Sequence, residues 1–336
     1  MQVPIAIPAS LRVTLAVVWL AAAAAAWLLL PKNISLGVRL PFLLAACVEI
    51  AFYLAPGWEA LRISLVRRFP PWQLAGLLWL SAIVPYAIYS VGTGTGSFAG
   101  ALALLALTGA AAGWYALLRA RQGPAGLFAD LGFLTLMGAV MLGGVFAWIY
   151  PDAAERLQAQ FLGRVMWIRL GVLAALLLRR MEGTGFGFWP SAREWRVGVL
   201  AFVLLMPLLL GLGWALDFFT IREWTRPAWQ MGLIAAGSFL GFLWVVALSE
   251  EFFLRGLLQQ WASVWTGSAW RGLAIATLVS GAVHLPFGGQ FPNWKFAALA
   301  AVAHLGYGIA FQKGKGVRAA MVTHALVVTV WRVFLR

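Results

Sequence analysis

Long stretches of nearly uncharged residues recur along this chain of 336 residues. A stretch of about 18 or more such residues can cross a hydrocarbon layer of about 30 Å as an α-helix. The chain is 62% hydrophobic and only 11% charged, which is more apolar surface than a single soluble core can bury. Because backbone groups in lipid must form their hydrogen bonds within the segment, the sequence predicts an all-α, polytopic transmembrane helical bundle.

About eleven apolar segments are recognisable from their length and hydropathy. They lie near residues 13–30, 37–55, 72–91, 96–118, 127–149, 162–178, 196–214, 230–263, 270–285, 294–311 and 317–335. The first segment is preceded by only one basic residue, Arg12, and another segment follows it directly. This arrangement favours a signal anchor or a first membrane span over a cleaved signal peptide.

The net charge of +14 does not indicate a nucleic-acid partner. Lys and Arg are not gathered into one basic stripe with interleaved aromatic residues, which is the pattern of a nucleic-acid interface. They lie instead at the ends of the apolar segments, and the 19 Trp and 6 Tyr residues often lie there too. Aromatic and basic residues at such ends are typical of a membrane interface, so the predicted partner is the lipid bilayer.

The charges of the connecting loops predict the orientation of the chain. The second, fourth and sixth connections carry the arginines Arg62, Arg67 and Arg68; Arg119 and Arg121; and Arg179, Arg180, Arg193 and Arg196. The third connection is uncharged, and the fifth and seventh mix signs. By the positive-inside rule, this alternation predicts a multi-pass protein of the cell inner membrane with a cytoplasmic N-terminus and a cytoplasmic loop at 313–318. The first connection, with Lys32 and Arg39, goes against the pattern.

Ionisable side chains inside apolar segments are costly, and each is therefore a candidate for a function or for a buried pair. Before residue 230 such side chains are scattered along the sequence: Glu49, Asp130, Arg164 and Arg169. We interpret these four as members of ion pairs inside the bundle or as residues close to the membrane interface. For them a structural role is favoured over a chemical one.

The last four segments carry a denser set of ionisable residues. Glu250, Glu251 and Arg255 lie in the stretch ALSEEFFLRGLLQQW. The three histidines of the chain follow on three successive segments: His284, His304 and His324. Neighbouring helices would bring these acids and imidazoles into one region within the membrane, which indicates catalysis or metal binding rather than coincidence.

The two adjacent glutamates are about 100° apart on an α-helix, so they cannot share one role. Glu251 lies four residues before Arg255, the favourable order for an ion pair, and we interpret this pair as structural. Glu250 has no partner on its own helix. A carboxylate beside an imidazole on a neighbouring helix is suited to take a proton from water.

The histidines differ in how clearly they can be assigned. His284 is followed two residues later by a proline, which predicts a helix end or a kink nearby. His324 lies about two turns into the last segment. We expect His284 and His324 to act with Glu250 in catalysis or metal binding, whereas His304 packs against them or tunes them.

These motifs resemble those of the CPBP family, which comprises CAAX proteases and bacteriocin-processing enzymes and is also called Abi. The similar stretches are EEFFLRG, SGAVHLPFG and YGIAFQKGKGVRAAMVTHAL. The type II CAAX prenyl endopeptidases are members of this family. The resemblance covers about residues 230–336 and implies a protease domain there, built on a four-helix core at the C-terminus. Residues 1–229 form a transmembrane region of unknown role.

The resemblance implies an intramembrane endopeptidase of the glutamic type that hydrolyses a membrane-associated peptide or protein. Glu250 would be the general base, His284 would hold and polarise the water, and His324 would position the substrate carbonyl or stabilise the oxyanion. The implied supporting residues are Glu251, Arg255 and His304. No cofactor is favoured; zinc is possible, with Glu250, His284 and His324 as its ligands, although no HExxH motif is present.

Two positions depart from the family pattern. Ser280 stands where the second motif usually has Phe, and Val328 stands where the third usually has Asn. His304 or Thr329 would be the replacement if that Asn donates a hydrogen bond to the oxyanion. The missing Asn favours a second hypothesis, a non-catalytic membrane scaffold or immunity-type member of the same fold. A third, a transporter with a proton relay, has no support from inverted repeats. The sequence leaves open whether a substrate is prenylated and whether the chain is an oligomer.

Overall fold

The computed structural model describes residues 9–29, 33–118, 124–224 and 226–335. Within these ranges the chain is helical, and its only β-type pairing is an isolated bridge between Ile221 and Leu335. The predicted all-α class is therefore confirmed. Arg119 and Arg121, which contributed to the predicted orientation, lie outside the described residues.

The chain divides into two compact units, Met1–Met181 and Glu182–Arg336. The helices of the first unit are α1 (Ala9–Leu29), α2 (Leu36–Leu54), α3 (Glu59–Arg68), α4 (Pro71–Thr93), α5 (Phe98–Leu118), α6 (Pro124–Leu142), α7 (Phe146–Ile149) and α8 (Gln160–Leu178). Those of the second unit are α9 (Ala192–Ala215), α10 (Ala228–Thr266), α11 (Ala269–Val283), α12 (Trp294–Gly314) and α13 (Val317–Phe334).

Eight helices among the described residues are long and apolar enough to cross a membrane. The chain is therefore an integral, multi-pass membrane protein, but the predicted count of about eleven spans is not confirmed. The segment predicted at 127–149 is interrupted because α6 ends at Leu142 and Gly144 has a φ of 64°, a left-handed conformation that glycine adopts readily. The segment predicted at 270–285 forms the 15-residue helix α11, which is about 22 Å long and shorter than the hydrocarbon layer.

Helix α3 lies in a stretch that the sequence analysis treated only as a charged connection. Its sequence EALRISLVRR has Glu59 in the first turn and Arg67 and Arg68 in the last turn. These charges complement the helix dipole at both ends and stabilise a helix that has no buried residue. The hydropathy pattern could not reveal α3, because that pattern reports burial rather than helix formation.

Buried ion pairs hold the first unit together. Arg169 donates to both carboxylate oxygens of Glu49 at 2.7 and 3.1 Å and also to the hydroxyl of Ser81 at 2.7 Å. Arg179 donates to both oxygens of Asp130 at 2.9 and 3.0 Å, and these hydrogen bonds raise the pKa of the Arg179 guanidinium. Glu49, Arg169 and Asp130 are thus paired inside the bundle, while Arg164 is exposed and donates to the Gln160 side chain at 3.0 Å.

Capping residues fix where the helices of the second unit begin. Ser191 forms a capping box with Glu194 at the start of α9, which satisfies backbone N–H groups that lack a partner in the first turn. The Asn293 side chain accepts a hydrogen bond from the backbone N–H of Phe296 at 3.0 Å and starts α12 in the same way. Helix α12 packs against α9, α11 and α13, and its ten buried residues include His304.

Gly272 sets the distance between α11 and the end of α10, and its replacement by alanine is expected to destabilise the second unit. An added Cβ would lie 2.6 Å from the Ser263 backbone nitrogen and 2.7 Å from the Gln259 carbonyl oxygen. Backbone atoms cannot turn aside, so we expect Gly272→Ala to lower the free energy of unfolding by about 1–3 kcal/mol. Thermal melting of the purified protein measures this, with Gly237→Ala as the control because a Cβ there meets no atom within 4 Å. Equal melting temperatures for the two variants would contradict the close approach.

Candidate active site

Helix α10 changes its winding on both sides of the paired glutamates. The segments Phe242–Ala247 and Phe252–Gln259 are π-helical, and the short α-helical piece Leu248–Glu251 lies between them. The Ser249 hydroxyl donates to the carbonyl oxygens of Val245 and Val246 at 2.7 and 2.9 Å, and so competes with the regular backbone bonds. π-Helical turns within α-helices are frequent at functional sites. This change of winding redirects the side chains that follow it.

Glu251 and Arg255 form the predicted ion pair, with Glu251 Oε2 3.3 Å from Arg255 Nε and both side chains fully buried. The contact lacks hydrogen-bond geometry, since neither of these two atoms has a hydrogen-bond partner. It is therefore a contact between charges. The π-helical winding explains this, because residues four apart no longer lie directly above one another when the repeat is longer than in an α-helix.

Arg255 also bonds to the two helices that follow α10. Its Nη2 donates to His304 Nδ1 and to the His304 carbonyl oxygen, both at 2.7 Å. Its Nη1 lies 3.4 Å from the Ser280 hydroxyl, a long hydrogen bond. Hydrogen bonds from a charged donor are stronger than neutral ones. One guanidinium therefore ties α10 to α11 and α12 at the same level of the second unit.

His324 lies between the two glutamates. Its Nδ1 is 2.8 Å from Glu251 Oε1 and its Nε2 is 3.9 Å from Glu250 Oε2. An ionised Glu251 beside Arg255 can only accept, so His324 donates from Nδ1 and a neutral ring carries its lone pair on Nε2. Besides its predicted contact with Arg255, Glu251 therefore bonds the histidine of the last helix, a contact that the sequence did not predict.

The environments of the two glutamates differ sharply. The side chain of Glu250 is 42% exposed, whereas that of Glu251 is fully buried. Among the described residues, Glu250 forms no ion pair within 4 Å with an arginine or lysine. The buried carboxylate is thus held on two sides, and the exposed one is free to meet a water molecule.

His284 lies at the C-terminal end of α11, two residues before Pro286. Its Nδ1 is 2.7 Å from the Ser280 carbonyl oxygen. A carbonyl oxygen only accepts, so His284 donates from Nδ1 and a neutral ring has its lone pair on Nε2. The half-buried ring packs edge-on against Phe296, with 4.9 Å between the centroids.

His304 occupies the middle of the cluster. Its ring centroid is 5.5 Å from that of His284 and 5.8 Å from that of His324, and its side chain is buried. The structure therefore brings together the six residues that the sequence singled out on α10 to α13. They are Glu250, Glu251, Arg255, His284, His304 and His324.

Tyr307 was missed by the sequence analysis. Its ring stacks on His324 with 4.5 Å between the centroids and 13° between the planes, and it meets His304 edge-on at 5.2 Å. Tyr307 lies three residues after His304, so both side chains share one face of α12. That spacing was the available signal, but an aromatic residue in so apolar a sequence does not stand out by composition.

Residues 232–330 match the family model described as type II CAAX prenyl endopeptidase Rce1-like. Residues 232–330 are therefore similar to this family, and we refer to them as the Rce1-like segment. The match confirms the resemblance found in the sequence, covers less than a third of the chain, and includes every residue of the candidate site. Comparisons with curated proteins and with solved structures give no match.

The donors in the Rce1-like segment do not form an evident zinc site. Among the described residues, no group of three His, Cys, Asp or Glu side chains is arranged to hold a metal ion. The Nδ1 bonds of His284 and His324 leave Nε2 of each ring free, but these two nitrogens and Glu250 are not arranged as a three-donor group. We therefore derive no chemical step through zinc.

Ser280 and Thr329 both bond to the backbone of their own helices. The Ser280 hydroxyl donates to the Ala276 carbonyl oxygen at 2.7 Å and faces Arg255 with its oxygen. The Thr329 hydroxyl donates to the Ala325 carbonyl oxygen at 2.6 Å. Thr329 therefore has no free hydrogen to replace an amide donor at Val328.

Removal of the Arg255 guanidinium is expected to destabilise the Rce1-like segment strongly. Arg255→Met would leave the buried Glu251 carboxylate without its cation, a change that costs about 3–5 kcal/mol. The double variant Glu251→Gln with Arg255→Met removes both charges and should recover part of this loss. Thermal melting checks both expectations.

The control for this experiment is Arg156→Met. Arg156 pairs with Glu155 at 3.6 Å, but more than four fifths of each side chain is exposed, and such pairs contribute little to stability. A melting temperature for Arg255→Met that equals that of Arg156→Met would show that the buried pair does not stabilise the fold.

Proposed function

We propose that this protein is an intramembrane endopeptidase of the glutamic type. The observation that carries the proposal is the arrangement around Glu250, a half-exposed carboxylate beside His324 in an Rce1-like segment. His284 and His324 each have their Nδ1–H engaged and their Nε2 directed elsewhere. A carboxylate and two imidazole lone pairs together suit the activation of a water molecule.

In the proposed reaction Glu250 takes a proton from water while the water oxygen attacks the substrate carbonyl carbon. His284 accepts the second hydrogen of that water at Nε2 and so orients it. His324 is held by Glu251 through Nδ1, and its Nε2 lone pair lies 3.9 Å from Glu250 Oε2, where a water molecule between them can donate to either acceptor. The proton on Glu250 then passes to the leaving amine as the C–N bond breaks. General acid–base catalysis of this kind contributes about 10²–10⁴-fold to a rate.

The proposed substrate is a membrane-associated peptide or protein. The family name refers to prenylated C-terminal peptides, and a prenyl chain would keep such a substrate in the bilayer next to α10 to α13. No cofactor is included in the proposal, and the reaction above needs only the residues of this chain and water.

A non-catalytic scaffold is the second candidate function. The observation that favours it lies on α13, where Val328 occupies the position one turn after His324 and Thr329 uses its hydroxyl within the helix. A chain that lost its oxyanion donor would keep the fold and the buried ion pair but lose the rate. Direct measurement of cleavage separates the two functions.

Glu250→Gln is expected to abolish cleavage without destabilising the fold. The glutamine cannot take a proton from water, so kcat should fall by about 10²–10⁴-fold, and the melting temperature should stay that of the wild type because the side chain is 42% exposed. The assay is hydrolysis of a panel of membrane-anchored and prenylated peptides by purified protein. Glu251→Gln is the matched comparison, since it is expected to lower both activity and melting temperature. Full activity of Glu250→Gln would exclude it as the base.

Chelation is expected to leave cleavage unchanged, because the proposed base acts directly on water. The same peptide panel is incubated with and without a strong chelator, and zinc is then added back. Loss of cleavage that zinc restores would reassign Glu250, His284 and His324 as metal ligands. Absence of cleavage in wild type across the panel would favour the scaffold.

We further propose that the protein lies in the cell inner membrane with a cytoplasmic N-terminus. Cys47 is the single cysteine of the chain, so Cys47→Ser provides a background for labelling with a membrane-impermeant maleimide. Added to it, Lys315→Cys in the loop 313–318 should react only in inside-out vesicles. Thr95→Cys, in the uncharged third connection, should react in intact spheroplasts. The reverse pattern would invert the orientation.

A further inference from the structure

The proposed hydrolysis requires a donor for the oxyanion that forms when water adds to the substrate carbonyl. Two of the three histidines cannot supply it when neutral. The single N–H of His324 goes to Glu251, and that of His284 goes to the Ser280 carbonyl oxygen. The donor must therefore come from elsewhere in the cluster.

His304 is the histidine with its N–H on the other nitrogen. Its Nδ1 lies 2.7 Å from Arg255 Nη2, and a guanidinium can only donate, so Nδ1 accepts. A protonated ring would place an N–H against the N–H of Arg255, so His304 is neutral and carries its hydrogen on Nε2. The same Nη2 also donates to the His304 carbonyl oxygen, which fixes the ring relative to its own backbone.

Three other polar side chains on these helices already have hydrogen-bond acceptors. The Thr323 hydroxyl donates to the Gly198 carbonyl oxygen at 3.0 Å, and the Thr329 hydroxyl to that of Ala325 at 2.6 Å. The side-chain amide of Gln259, about two turns after Glu251 on α10, lies 3.4 Å from the Gly308 carbonyl oxygen. The hydroxyl of Tyr307, whose ring packs against both His304 and His324, is a second donor that the experiment must separate from His304.

We propose that His304 is a catalytic residue whose Nε2–H donates to the oxyanion in place of an amide at position 328. The inference rests on the proposed peptidase function. As the water oxygen bonds to the carbonyl carbon and Glu250 takes the proton, the carbonyl π electrons move to oxygen, and the Nε2–H of His304 stabilises that negative charge. When the charge returns to re-form the C=O bond, the C–N bond breaks and the amine leaves with the proton from Glu250. The central place of the ring between His284 and His324 suits this role.

A neutral donor also fits the electrostatics of the position. Arg255 lies behind the ring at 2.7 Å and polarises the imidazole toward donation at Nε2. Preorganised donors of this kind act without reorganisation during the reaction, and removal of one costs about 10²–10³-fold in kcat. Arg255 would thus act through His304 rather than on the substrate, as a positioning residue.

The test compares two side chains of equal length at this position, His304→Gln and His304→Met. Glutamine can accept from Arg255 and still donate, whereas methionine fills a similar volume but has no N–H. We expect His304→Met to lower kcat by about 10²–10³-fold with little change in KM, and His304→Gln to stay within about tenfold of wild type. Adding Val328→Asn to His304→Met should restore kcat, since residue 328 lies one turn after His324 on the same face of α13.

The controls distinguish a failure of this inference from a failure of the proposed function. If the wild type is active, Glu250→Gln is inactive and His304→Met is fully active, only the oxyanion role of His304 is overturned. Equal inactivity of wild type and Glu250→Gln would overturn both proposals. Tyr307→Phe separates the two donors, because a loss of kcat there with His304→Met unaffected would assign the donor to Tyr307 instead. Two further outcomes would make His304 a structural residue. In the first, His304→Met lowers only the melting temperature. In the second, both His304 variants lose kcat equally and Val328→Asn restores neither.

Discussion

The buried charge of Arg255 is the constraint on which the second unit depends. A guanidinium within a membrane-spanning helix must be neutralised and hydrogen-bonded, because lipid offers it no partner. Arg255 meets this requirement with Glu251 on its own helix, His304 on α12 and Ser280 on α11. The contacts of this one side chain therefore hold α10, α11 and α12 together at one level. The candidate site lies at that level because the partners of the charge are themselves its residues.

Glu251 extends this arrangement to the last helix. One of its oxygens faces Arg255 and the other accepts from His324, so the orientation of His324 follows from the position of the arginine. The adjacent Glu250 reaches the opposite edge of the same imidazole, at 3.9 Å. Two neighbouring residues of a regular α-helix point about 100° apart, and the imidazole of His324 lies between the two carboxylates, bonded to Glu251 and close to Glu250. The two adjacent glutamates therefore have different roles. Glu251 orients His324, and Glu250 is partly exposed and can contact water.

The sequence was sufficient for the helical class, for the helices that carry the site, and for the Glu251–Arg255 pair, because these depend on local composition and on spacing within one helix. It could not provide the bond from Arg255 to His304, whose residues are 49 positions apart. It also could not provide the π-helical turns of α10, which depend on packing. The position of His324 between the two glutamates was out of reach for the same reason, since only the tertiary structure brings the last helix to α10. Helix lengths were overestimated where hydropathy continued past a break, as at Gly144.

The first unit contains a buried ion pair of comparable burial that is not a candidate site. Arg169 forms two bonds to Glu49 and two to Ser81, so both the charge and the hydrogen-bonding capacity are satisfied by the pair and its immediate neighbours. Around Arg255 the same requirement is met through imidazole rings instead of hydroxyl and carbonyl groups. A histidine that accepts or donates at Nδ1 still has a second nitrogen, and its partner decides whether that nitrogen is a donor or an acceptor. When histidines surround a buried cation, the second nitrogen of each ring therefore remains available and is held in a fixed orientation. This is the physical difference between a structural ion pair and a site capable of chemistry.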